Sequence, residues 1–394
     1  MRSIRQTEKM FFLMMLVTAG MFLVCSGQLI ENSCIISNNY DPNAKMNGLK
    51  VERTWLYQPV KEWTYSHHPH ITFFKGQYYA MWSNGRKDED AAGQRVLISR
   101  SKDCKSWSRP VPLVDSMMGK GGVEVVLTAG GFHQHKGLLL AYFGQYEADK
   151  SGGRLLAVTT KEGINWSGIK DMGVAVIPNH GPRKTKTGRL IICGHTSFPY
   201  TDDPQGLSGW TMVGIYPTDT VMPVDSPNTI FSVQKKMEWP AVLCEGSFYG
   251  ADDGSLNMML RAVGEGYRGW LWATRSIDNG RTWSKPVETK FSDSSAKFDF
   301  GRLPDGRFYY VGNPDVTNGW RRYPLVLSLS KDGVVFGHHY IIADESYEKM
   351  REGLCKDGEY GYPDTIIDDG HLCIIVSRKK EAVEVFRIPL GDIK

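Results

Sequence analysis

Six times along the chain an apolar, alternating run meets a polar turn ending in glycine, and a second apolar run follows. The six are FFKGQYYAMW (Gly76), FHQHKGLLLAYF (Gly137), TKTGRLIICG (Gly188), GADDGSLNMMLR (Gly254), RLPDGRFYYVG (Gly306) and IIDDGHLCIIVS (Gly370). Two such runs joined by a tight polar turn are the signature of a β-hairpin. No stretch carries the 3.6-residue apolar period of a long helix, so the pattern predicts an all-β chain built from repeated hairpins.

A second landmark keeps step with the first. SIDNGRTW (Ser276 to Trp283) has weaker copies in SKDCKSW (from Ser101), TKEGINW (from Thr160) and SKDGVVF (from Ser330). Each keeps a hydroxyl, an acid two residues later and an aromatic at the end. The gap between the second and third copies is about twice the others, which predicts a degenerate copy near residue 218, where YPTDTVMP places Asp219. Each unit then reads as an inner hairpin followed by two more strands, with the Asp motif turning between the third and fourth. After Gly370 there is room for only one further strand, EVFRIPL, before Lys394, and the N-terminal segment LKVERTWLY is free to complete that sheet and hide its edge. The predicted fold is a six-bladed β-propeller of four-stranded antiparallel blades; six units use up the chain, which disfavours a seventh.

The start of the chain changes the picture of where the protein works. Arg2, Arg5 and Lys9 precede an apolar run from Met10 to Val24, and CSGQ follows, the layout of a secretory signal too short to span a membrane. The expected organisation is a signal over 1–27, a linker over 28–44 and a single propeller domain over 45–394. FLVC also suggests lipid attachment at Cys25, with bulky Val24 against it and cleavage near Gly27 as the alternative. Either route places the protein in a bacterial periplasm, on the cell surface or outside the cell. A net charge of +4 without a dense Lys/Arg run gives no reason to expect a nucleic-acid partner, and leaves the lipid anchor as the only membrane link. The cysteines lack CxxC spacing and read as buried apolar residues or a disulfide. No metal or other cofactor is expected; a calcium ion is compatible with the chain, but no acidic loop has EF-hand spacing.

The hairpins also locate candidate chemistry. In a propeller the start of each first strand and the end of each second strand ring one mouth. Counting back and forward from the turn glycines brings together His67, His68, Asn84 and Arg86; Gln145 and Glu147; His180 and His195; Glu245 and Arg261; Lys297 and Asn313; Tyr362 and Arg378. With His133 and His135 nearer the turn, histidines suited to general acid or base work meet arginines suited to a carboxylate.

The Ser-x-Asp-x-Gly-x-Thr-Trp motif and its copies resemble the Asp-box repeat of the sialidase superfamily over most of the chain. That resemblance implies that Asp103, Asp278 and Asp332 are structural turns away from the active centre. It further implies that Glu245 and Arg261 match a family glutamate and its second arginine, that Tyr362 in YGYPDTIIDDG matches the nucleophilic tyrosine, and that Asp88 or Asp90 stands for the acid. The first-blade arginine is replaced by His67-His68-Pro69, which argues against sialic acid. SHHPHITFFKGQYYAMWSNG and FHQHKGLLLAYFGQYE resemble the α-L-rhamnosidase group of gut Bacteroidetes, which removes rhamnose from glucuronic acid in arabinogalactan by means of a histidine. If that histidine corresponds to His67 or His68, hydrolysis is expected; if to Gln58, it is lost. Propeller polysaccharide lyases that cleave rhamnose–glucuronate linkages are the next resemblance. The reading is therefore an exported glycoside hydrolase of rhamnosidase type acting on an acidic oligosaccharide. Its catalytic candidates are His67, His68, His180 and Glu245, and its substrate-binding candidates are Arg86, His133, His135, His195, Arg261, Tyr362 and Arg378. Elimination, exo-α-sialidase activity and non-catalytic glycan binding are the alternatives.

Overall fold

The structure is a computed structural model describing residues 36–215 and 240–394. The expected signal over 1–27, Cys25 and Asp219 lie outside the described residues. Six antiparallel sheets stand around one axis, each numbered here as a blade from its innermost strand outward. Blade 1 is Tyr65–Phe74, Gln77–Gly85, Arg95–Ser101 and Val111–Val114, and blade 2 is Val126–His135, Leu138–Tyr146, Arg154–Thr160 and Lys170–Asp171. Blade 3 is His180–Lys184, Leu190–Cys193 and Tyr200–Thr201, with Thr211 and Gly214 bridging to its outer side. Blade 4 is Val242–Gly250, Leu256–Val263, Trp270–Ser276 and Val287–Ser292. Blade 5 is Asp299–Arg302, Phe308–Gly312, Leu325–Ser330 and His338–Ala343, with Asn47–Gly48 added in parallel. Blade 6 is Gly361–Asp368, His371–Arg378 and Ala382–Pro389, and its fourth strand is Glu52–Tyr57 from the other end of the chain. The ring closes as the short sixth unit required.

The hairpin turns follow from their residues. Phe74 pairs with Gln77, so Lys75 and Gly76 form a two-residue loop, and both are left-handed (φ 48° and 78°). Two left-handed residues make the turn whose twist matches that of the strands it joins, and glycine takes the second place without a Cβ penalty.

Both faces of each inner sheet are covered, which is why the inner strands read as nearly continuous apolar runs. Tyr78, Ala80 and Trp82 pack with Cys373, Ile375 and Val385 between blades 1 and 6, while Met81 packs with Leu127, Ala141 and Phe143 between blades 1 and 2. Equivalent apolar layers fill the other four seams. Ile36 lies in the layer between blades 4 and 5, and Asn38 bonds Ser292, so the end of the segment read as a linker is part of the packed structure.

The Asp motifs are turns. Asp278 accepts from Thr282 N–H (2.9 Å), Thr282 Oγ1 (2.6 Å) and Ser276 Oγ (2.8 Å), and Trp283 packs against the seam between blades 3 and 4. Asp103 and Asp332 do the same within blades 1 and 5. The copy in blade 3 is Thr201 to Trp210, where Asp203 accepts from Gln205 and Leu207 N–H and from Ser208 Oγ. The expected position near 218 rested on equal unit lengths; the strands of blade 3 are short, so its turn arrives earlier. Asp278→Ala is expected to lower stability by about 1–2 kcal/mol, the worth of one or two such hydrogen bonds. Denaturant unfolding checks this, and an unchanged midpoint would contradict the structural role.

Candidate active site

Five of the innermost strands skip a pairing, and in three of them the skip holds a left-handed non-glycine residue. The three skips lie between His67 and His70, between Cys244 and Ser247, and between Gly361 and Asp364. Their left-handed residues are His68 (φ 51°), Glu245 (φ 50°) and Tyr362 (φ 57°). A bulge re-aims a side chain at a cost in backbone energy, and such strain persists where the surroundings enforce it. All three side chains line one cavity of about 190 Å³, with Glu89, Asp90, Tyr146, His195 and Arg261.

At its centre Tyr362 Oη donates to Glu245 Oε1. Arg261 Nη1 donates to Glu245 Oε2 at 2.6 Å and to Tyr362 Oη at 3.0 Å. Burial alone would raise the Glu245 carboxyl, but the charges of Arg261 and His195 and the bond from Tyr362 hold it well below the usual range. Burial, then the Glu245 charge, pushes the Tyr362 phenol far up, so it is a neutral hydroxyl against an ionised carboxylate. Around that ring stand His67 at 4.0 Å between centroids, Arg322 at 5.1 Å and Lys297 Nζ at 5.6 Å.

Two further acids meet the cavity in opposite states. Burial would raise Glu89, but Lys380 and His68 bring it down to about 2. Burial and the Glu89 charge raise Asp90, and the hydrogen bond from Tyr146 offsets this only in part. Neighbouring carboxyls driven apart in this way are an acid–base assignment in waiting.

Below the cavity the axis is filled by a buried polar layer. Asp364 Oδ2 accepts from Ile71 N–H (3.0 Å), and its Oδ1 faces His70 Nδ1 (3.3 Å) and His180 Nδ1 (3.4 Å). Asp299 accepts from Arg183, Ser247 Oγ, Thr365 N–H and Thr365 Oγ1, joining blades 3 to 6. Lys297 Nζ is buried beside them with no hydrogen-bond partner among the described residues. Among the described residues carboxylate and imidazole atoms converge in two groups, His180, Asp299 and Asp364, and His67, His68 and Glu89. His180 and Asp299 of the first group are buried, whereas His68 and Glu89 of the second reach the cavity.

Of the residues expected at the mouth, His68, His195, Glu245, Arg261 and Tyr362 line the cavity, and His67 stands directly behind Tyr362. His180 lies one layer down. Arg86 is on the rim, paired with Glu124 at 2.7 Å. His133 bonds Pro204 O (2.9 Å) and His135 ends its strand at the turn, both towards the opposite end of blade 2. Arg378 is enclosed by Glu384, the carbonyls of Glu359 and Glu345, and the Tyr360 ring. Ser377, one residue earlier, faces the axis and bonds His67, so strand alternation turns Arg378 away. Asp90 faces the cavity, whereas Asp88 caps Leu354 N–H. Glu89, Tyr146, Lys380 and Arg322 were not singled out in the sequence; the acidic run GRKDED directly after the first hairpin was the available signal for Glu89. A wider cavity of about 780 Å³ opens at the turn end, where Asp278 and several cations line it; the strained bulges and paired acids are at the other end.

Solved structures similar to this chain are propellers. One described as a sialidase aligns with 19% identity and a TM-score of 0.61, covering 88% of this chain but only 33% of its own. Trypanosoma rangeli sialidase in complex with sialic acid aligns with 12% identity and a TM-score of 0.60, over 89% of this chain and 60% of its own. A protein of unknown function from Dyadobacter fermentans DSM 18053 aligns with 14% identity and a TM-score of 0.60, over 86% of this chain and 99% of its own. At these identities the likeness shows the fold alone. No curated protein matches the chain in sequence. The model of the BNR repeat-like domain matches residues 50–374, and the chain belongs to that family.

Proposed function

We propose that the protein is a glycoside hydrolase whose reaction takes place in the cavity above Tyr362. The observation that carries this is the Tyr362–Glu245–Arg261 cluster, a neutral hydroxyl bonded to a carboxylate, with a carboxylic acid of raised pKa, Asp90, on the same cavity. As the Tyr362 oxygen bonds to the anomeric carbon, its proton passes to Glu245. The glycosidic oxygen leaves with the proton of Asp90. Water, deprotonated by Asp90, then breaks the tyrosyl–sugar bond, and the Glu245 proton returns to Tyr362. Two displacements retain the anomeric configuration. Histidine is less well placed for proton donation: burial holds His68 down to about 3, partly offset by Glu89, and His180 lies beneath the cavity.

For the substrate we propose an α-L-rhamnose cap on glucuronic acid in an arabinogalactan-like glycan, met outside the cytoplasm. The sequence resemblance to rhamnosidases supports the sugar, and Arg261 on the cavity, with Arg322 over the Tyr362 ring and Lys380 on Glu89, suits the acid. The structural neighbours named as sialidases support a glycosidase in general. Incubation with gum arabic oligosaccharides should release free rhamnose. An unsaturated uronate would instead establish elimination, tight binding without product would establish a lectin-like role, and sialic acid from sialyllactose would establish a sialidase; each would overturn the proposal. Since only protonated Asp90 can donate, kcat/KM should fall as pH rises through its raised pKa, and Asp90→Asn should remove that limb. An unchanged limb in the variant would exclude Asp90 as the acid.

A further inference from the structure

His67 and His68 present their Nε2 atoms to the same carboxylate oxygen, Glu89 Oε1, at 3.8 and 3.7 Å. Neither distance is a hydrogen bond. The tautomer of His67 follows from its other nitrogen. Ser377 Oγ donates to Gly361 O (3.2 Å), so it accepts from His67 Nδ1–H at 2.6 Å. His67 Nε2 therefore carries a lone pair; it is fully buried, has no hydrogen-bond partner among the described residues, and points at an anionic oxygen. Two acceptors turned towards each other need a cation between them.

We propose that His67, His68 and Glu89 bind a divalent transition-metal ion, zinc by the chemistry of the donors, through His67 Nε2, His68 Nε2 and Glu89 Oε1. Zinc bonds of about 2.0–2.2 Å set tetrahedral ligands roughly 3.4 Å apart. The two histidine–glutamate separations need to close by only a few tenths of an ångström, and the three residues offer ligand atoms that all lie within 4.8 Å of one another. The outer contacts are those such a site requires. Ser377 holds His67, Ser83 Oγ lies 3.1 Å from His68 Nδ1, and Lys380 with Tyr65 orients Glu89. His68 and Glu89 line the cavity, so the fourth position faces the space where a substrate oxygen or water would sit. The bulge that turns His68 out of its strand is what brings adjacent residues of one strand onto a single ion.

Binding is independent of the hydrolase reading, because it is measured without turnover. The full chain, stripped with a chelator, is titrated with Zn²⁺ calorimetrically and with Co²⁺ by visible absorption. One equivalent should bind, and Co²⁺ should show the intense bands of a four- or five-coordinate site. His68→Ala and Glu89→Gln should weaken Zn²⁺ binding at least about 100-fold, and Ser377→Ala by about 10-fold. His339→Ala, at a distant histidine bonded to Ser328 (2.9 Å), should leave it unchanged. His67 is wholly buried, so the test does not depend on a variant there. Failure of the wild type to bind Zn²⁺, or equal affinity in wild type and His68→Ala, would overturn the site.

Discussion

A Tyr362→Phe chain should fold as the parent does yet lose at least about a thousandfold in kcat, roughly 4 kcal/mol of transition-state stabilisation. The substitution removes one oxygen and leaves the Arg261–Glu245 pair at 2.6 Å intact, so no buried charge is stranded and the stability loss should stay within about 1–2 kcal/mol. Glu245→Gln provides the contrast. It too should abolish turnover, but it leaves the Arg261 guanidinium buried without its anion and should cost about 3 kcal/mol or more in stability. Steady-state kinetics beside denaturant unfolding separates the two effects. A Phe variant that keeps a tenth of the parent kcat would remove Tyr362 from the chemistry.

Asp299→Ala should be the most destabilising single change along the axis, by about 3–5 kcal/mol. Asp299 is buried and takes the Arg183 charge from blade 3, the Ser247 hydroxyl from blade 4, and both the backbone N–H and the hydroxyl of Thr365 from blade 6. Among the described residues, removing it leaves Arg183 with only Ser247 Oγ and the carbonyls of Phe248 and Phe300. It also strips two donors of Thr365 of their acceptor. Asp299→Asn, which keeps acceptor capacity on one oxygen, should cost less. A loss below about 1 kcal/mol for the alanine variant would show that the blades are held by their apolar seams alone.

The architecture was legible in the sequence because it repeats. Turn glycines such as Gly76 and Gly370 are required by left-handed φ, and a required residue recurs wherever its turn does. The closing strand around LKVERTWLY was likewise readable, since a sheet one strand short exposes an edge. The degenerate Asp motif was misplaced because blade 3 does not share the common unit length. The site was legible in part: counting from the turns reached His68, Glu245, Arg261 and Tyr362, but it could not fix which face of a strand a side chain takes. The bulges decide that, and their mark in YSHHPH, LCEGS and YGYPD is the Pro69, Gly246 or Pro363 that directly follows His68, Glu245 or Tyr362 within the skipped pairing. Arg378 fails by one step of alternation, and Glu89 and Asp90 sit on a connection whose path the strand pattern does not describe.

The most direct measurement is covalent labelling. Incubating the full chain with an activated 2-deoxy-2-fluoro-rhamnoside and mapping the peptides by mass spectrometry should find one sugar per chain, on Tyr362, with none in Tyr362→Phe. Turnover of gum arabic oligosaccharides with the label absent from Tyr362, or fixed on another side chain, would contradict the assignment of the reaction to this tyrosine.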